Sequence, residues 1–129
     1  MGAWGHEPFD NDTAMDWSYD LEESSDLSVL TRSLQPAPGY LEADQGTELV
    51  AAAAVVAGAL HPVVRLPENI QNWLQRHATL EFASLKVPAR AGIDRVLGAD
   101  SELRELWEES EENFSAWQDC LQKLTVALA

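Results

Sequence analysis

The stretch Leu49-Val50-Ala51-Ala52-Ala53-Ala54-Val55-Val56-Ala57-Gly58-Ala59-Leu60 decides the fold. It is apolar nearly all round, the pattern of a helix surrounded by other elements rather than one lying on a surface. It is shorter than the roughly 20 residues a bilayer span needs, and Pro62 follows it, so the burial it demands lies inside a protein. Its alanines and Gly58 carry little bulk, which lets neighbouring helices approach closely. We place a helix there, starting between Asp44 and Thr47, and expect the rest of the chain to pack around it.

Working outward, both flanks read as helices. On the N-terminal side, Asp10, Asn11 and Asp12 supply acceptors for orphan N–H groups, and their charge suits the positive helix end. A helix from Asn11 or Asp12 then puts Ala14, Trp17, Ser18 and Leu21 on one face and Asp12, Asp16 and Asp20 on another. A short helix over Asp26 to Leu34 is stopped by Gln35-Pro36-Ala37-Pro38-Gly39. On the C-terminal side, a helix opening at Pro67 aligns Ile70, Trp73, Leu74 and His77. Another starts at Pro88, turns Ile93, Val96 and Leu97 inward and ends at Gly98. From Leu103, the positions Trp107, Ser110, Phe114, Trp117, Leu121, Leu124 and Leu128 follow at alternating steps of four and three, apolar but for Ser110, with Ser101 as cap. The acidic run Glu108 to Glu112 adds like-charge repulsion near Ser110, where we expect a break or kink. Pro62-Val63-Val64-Arg65-Leu66 is the nearest approach to a strand and is short. The expectation is an all-α, single-domain bundle of about five to seven helices over residues 1–129, around the central Ala-rich helix.

The opening Gly2-Ala3-Trp4-Gly5-His6-Glu7-Pro8-Phe9-Asp10-Asn11-Asp12, with Asp16-Trp17 beyond it, resembles the N-terminal signature of the bacterial family termed domain of unknown function forty-two fifty-nine. Ser101-Glu102-Leu103-Arg104-Glu105-Leu106-Trp107-Glu108 is similar to that family's second motif. Two positions depart from the pattern: Glu7 stands where glycine is common, and Ala54 where a glutamate often interrupts the alanine run. The resemblance implies ancestry and carries no activity, substrate or cofactor.

The net charge is −14, unevenly distributed. Residues 1–50 hold eleven acids and one base, residues 51–98 three acids and five bases, and residues 99–129 eight acids and two bases. Nucleic-acid binders need a basic footprint, so this balance argues against nucleic acid and against anionic membrane surfaces. It favours encounter with a basic protein partner, an attraction that salt weakens. An apolar fraction of 46% with five tryptophans argues for a folded chain despite that charge. The start lacks the basic and apolar regions of a signal peptide, and His6 stands where a myristoylation signal has Ser or Thr, so the expected compartment is the cytoplasm.

Asp10, Asp12 and Asp16, with Asn11 and His6, are the only dense group of potential hard-metal ligands. The calcium-loop pattern fails, since Met15 and Leu21 occupy the positions that require glycine and glutamate when counting from Asp10. Cys120 is the single cysteine, at helical spacing from Trp117 and Leu124, and reads as a buried inert thiol. No glycine-elbow serine, phosphate loop or histidine pair at ligand spacing appears, so no catalytic residue, metal or cofactor is assigned.

Trp4 and Phe9 admit two readings. They fold back and staple the first helix, or they form an aromatic anchor ringed by acids. The partner-binding set expected on the second reading is Trp4, Phe9, Asp10, Asp12, Asp16 and Asp20. The main functional expectation is a non-enzymatic module that binds a basic protein, with an immunity- or antitoxin-like protein as one form. The alternative is a metal-dependent hydrolase or small-ligand protein using the N-terminal carboxylates, which requires a cleft holding at least two of Asp10, Asp12, Asp16 and His6. Self-association through the C-terminal heptads is a third.

Overall fold

The computed structural model describes residues 5–61 and 64–129. Among them are seven α-helices: α1 Asp12–Glu22, α2 Ser28–Leu34, α3 Ala43–Leu60, α4 Glu68–Arg76, α5 Lys86–Val96, α6 Glu102–Glu108 and α7 Glu111–Ala127. A 3-10 turn, Phe82–Leu85, leads into α5. No strand occurs among the described residues, only an isolated parallel bridge between Leu41 and Ser101. Of the short strand candidate, Pro62 and Val63 lie outside the described residues, and Val64 to Leu66 form neither helix nor strand.

The Ala-rich helix is the hub. Leu49 through Ala57 are all buried, and α3 packs against α1, α2, α5, α6, α7 and the 3-10 turn. Its first turns carry Asp44, Gln45, Thr47 and Glu48, but the stretch from Leu49 to Ala57 is enclosed and carries no polar residue. The close approach to α5 depends on Gly92, where a Cβ would stand 2.7 Å from Leu49 Cδ2. Gly58, expected to admit a neighbouring helix, is instead filled by the side chain of Leu66 from the segment before α4.

Helix starts follow local chemistry. Asn11 caps α1, its Oδ1 accepting from the Ala14 N–H at 2.7 Å. Ser101 does the same for α6, accepting from the Arg104 N–H at 3.3 Å. Helix α3 starts at Ala43, one residue before the expected window, where Glu42 and Gln45 form a capping box (Glu42 N–H to Gln45 Oε1 at 3.0 Å) and Glu102 reaches across from α6 to accept the Ala43 N–H at 2.8 Å. Helix α5 starts at Lys86, so Pro88 occupies its first turn, where the missing N–H has no intrahelical partner to lose. The C-terminal pattern is broken, with Ser110 extended between α6 and α7 (φ −129°, ψ 107°). Trp107 and Trp117 stack across that hairpin with centroids 6.0 Å apart.

The tryptophans place bulk in the core and satisfy their N–H groups there. Trp73 is fully buried and donates to the Ser24 carbonyl at 2.9 Å, joining α4 to the loop after α1. Trp17 donates to Ser33 Oγ at 2.9 Å, joining α1 to α2. The expected inward face of α1, Ala14, Trp17, Ser18 and Leu21, is the buried one.

Candidate functional site

Two regions carry more chemistry than packing requires. The first is the outer face of α1. Asp12, Asp16 and Asp20 are exposed there beside Tyr19, which is 54% exposed. The acidic surface continues onto α3. Thr13 Oγ1 donates to Asp44 Oδ1 at 3.5 Å, and Glu48 lies within the fields of both Asp44 and Asp20. Burial raises the Glu48 carboxyl above the ordinary glutamate range, Asp44 and Asp20 add to the rise, and Arg32 opposes it. Among the described residues the close ion pair, Arg104 with Glu108 at 2.8 Å, lies elsewhere, on α6. Like charges thus share the α1–α3 ridge, with Arg32 the counter-charge felt at Glu48.

The remaining residues of the expected partner-binding set fall differently. Trp4 lies outside the described residues. Phe9 is 8% exposed and packs on Trp17 with ring centroids 6.3 Å apart, so it staples α1 and offers no exposed anchor. Asp10 turns back on its own loop, its Oδ2 accepting from the Glu7 N–H at 3.3 Å. A Cβ at Gly5 would meet that carboxylate, which would have to swing aside. The shallow cleft beside Asp10 is lined by neither Asp12, Asp16 nor His6.

The second region was not visible from sequence spacing. The turn Glu7 to Asp10, closed by the Asp10 N–H to the Glu7 carbonyl at 3.0 Å, lies over α7. It brings His6 Nδ1 to 3.2 Å from Cys120 Sγ. One ligand atom from each of His6, Glu7 and Cys120 lies within 4.8 Å of the others. A cleft of about 530 Å³ opens beside them, walled by Glu7, Pro8, His61, Cys120, Lys123 and Val126 among others. Burial, reinforced by the Glu7 charge and a hydrogen bond to Glu7, pushes the Cys120 thiol up to about 11, with Lys123 opposing. The ion-free thiol is therefore protonated at neutral pH and is a poor nucleophile.

The family model described as Domain of unknown function (DUF4259) matches residues 2–119. The chain belongs to the DUF4259 family. No curated protein and no solved structure matches it. The DUF4259 match takes in the α1 ridge, His6 and Glu7 and ends one residue before Cys120. It also takes in the second motif, whose residues now have structural tasks. Ser101 caps α6, Glu102 caps α3, Leu103 packs against Gly46, and Trp107 stacks on Trp117. Among the described residues no helix of this DUF4259 chain is long and apolar enough to cross a membrane.

Proposed function

We propose that the protein is a binding module that captures a basic protein partner on the acidic ridge of α1 and α3. The observation that carries this reading is the row of exposed Asp12, Asp16 and Asp20 on α1 beside Asp44 and Glu48 of α3, where the Glu48 carboxyl is raised by burial first and then by Asp44 and Asp20. Clustered like charges hinder folding and speed encounter with an oppositely charged surface, so they suit a surface whose counter-charge arrives with a partner. Exposed Tyr19 adds an aromatic contact of the kind enriched at interfaces. Phe9 has no part in this version of the surface. An immunity- or antitoxin-like protein that neutralises a basic toxin is one form of the reading, and the cytoplasm is its natural compartment.

The hydrolase reading built on the N-terminal carboxylates has less support. Asp12 and Asp16 point outward along α1, while Asp10 is engaged by its own loop.

The test is affinity purification from the native host at low and moderate salt, with the wild type beside the triple variant Asp12→Lys, Asp16→Lys, Asp20→Lys. The expected result is a stoichiometric basic partner, held less well at moderate salt and lost by the triple variant. Equal retention by the variant, or recovery of the protein alone under both conditions, would overturn the reading.

A further inference from the structure

We propose that His6, Glu7 and Cys120 form a binding site for a thiophilic divalent metal ion of the zinc type, with an open coordination position facing the adjacent cleft. The ligand chemistry selects the ion. Sulfur, imidazole nitrogen and a single carboxylate suit zinc and its neighbours, whereas calcium and magnesium favour all-oxygen shells. The geometry is close to what such an ion requires. Ligand atoms around a tetrahedral zinc stand roughly 3.3–3.8 Å apart, from the usual zinc–sulfur and zinc–nitrogen bond lengths. Here His6 Nδ1 and Cys120 Sγ are 3.2 Å apart, and the set including a Glu7 oxygen fits within 4.8 Å. Shifts of a few tenths of an ångström to about one ångström would close the site.

The supports are in place on both sides. Cys120 is fixed on α7 among buried Trp117, Leu121 and Leu124. His6 and Glu7 lead into a turn tied to the N-cap of α1, since the Asn11 side chain donates to the Pro8 carbonyl at 3.3 Å while its oxygen caps the helix. Charge also balances: thiolate and carboxylate together neutralise a dication, which favours binding where water is partly excluded. As the sulfur–metal bond forms, the thiol proton passes to water. Three protein ligands leave a fourth position, the arrangement of zinc sites that take water or a small ligand. That position borders Lys123 and His61, so an anionic group is the ligand the cleft fits.

The test uses the full chain with its native N-terminus and no polyhistidine tag, titrated with cobalt(II) as a spectroscopic stand-in for zinc. The expected result is one equivalent bound, with an intense near-ultraviolet sulfur-to-cobalt charge-transfer band that zinc displaces. Cys120→Ser should abolish the band. Glu7→Gln and His6→Ala should each weaken cobalt affinity by at least about tenfold, a loss comparable to removing an outer-shell partner. Glu7 is exposed, so its variant tests the site without threatening the core. Cobalt held by the carboxylates of α1 would give no thiolate band, so the two regions are distinguishable. Absence of the band at stoichiometric cobalt, or unchanged affinity in either the Glu7 or the His6 variant, would overturn the proposal.

Discussion

Glu48 shows how a single side chain registers the acidity of the whole N-terminal region. Its carboxyl is held above the ordinary range by burial first and by Asp44 and Asp20 next. The folded state therefore keeps its proton to higher pH than the unfolded chain does. Stability falls as pH rises from the unfolded value, about 4.3, through the folded value, and the penalty is complete above it. Replacing the ionisable group removes that penalty. Glu48→Gln should raise the melting temperature at pH 7 and raise it less at about pH 4, where the wild-type carboxyl is largely protonated in both states. Thermal melts at the two pH values decide this, and an equal gain at both would contradict the assigned cause. A start between Asp44 and Thr47 puts Glu48 near the entry of the central helix. It did not show that Asp20, from a different helix, stands close enough to be felt, because through-space charge leaves no trace in spacing.

Among the helices, existence and facing followed from periodicity, and boundaries followed where a single serine or asparagine capped the start. Asn11 and Ser101 are local caps, and α1 and α6 begin just after them. The start of α3 is set by the local Glu42–Gln45 capping box, headed by glutamate where serine or threonine is usual, and was misplaced by one residue for that reason; Glu102, far along the chain, adds a further acceptor. The break before α7 arose where like charges crowd, at Glu108 to Glu112. The two C-terminal serines separate capping from mere position. Ser101 is fully buried and its hydroxyl accepts from the Arg104 N–H, whereas Ser110 makes no side-chain cap bond. Ser101→Ala should cost about 1 kcal/mol and lower the melting temperature by about 3–5 °C. Ser110→Ala should stay within about 0.5 kcal/mol. Chemical denaturation of the two variants side by side checks the contrast, and equal losses would show that the caps are not what separates them.

For the molecule as a whole, the layout around the Ala-rich helix was legible because an apolar run of that length has few ways to be satisfied in water. The His6–Cys120 pairing was not, since 114 residues separate the two and neither carries a local signal. Long-range pairs of this kind are products of packing. The same holds for the bridge at Leu41, which is buried, accepts from the Glu102 N–H and donates to the Asp100 carbonyl, both at 2.9 Å. Those two bonds, with the Glu102 cap on Ala43, join the entrances of α3 and α6 at one point. Amide hydrogens in connecting segments normally exchange with solvent through small local openings. Here, opening the Leu41 or Glu102 amide means separating two helix starts and uncapping the central helix. In a deuterium-exchange experiment followed by NMR, both amides should exchange as slowly as those of α3, and all should slow or quicken together when denaturant is varied. Exchange at loop rates would show that the helix entrances open independently. If the rates match, these two connecting segments unfold only when the molecule does, and the protein's slowest-opening unit runs through loops as well as through its central helix.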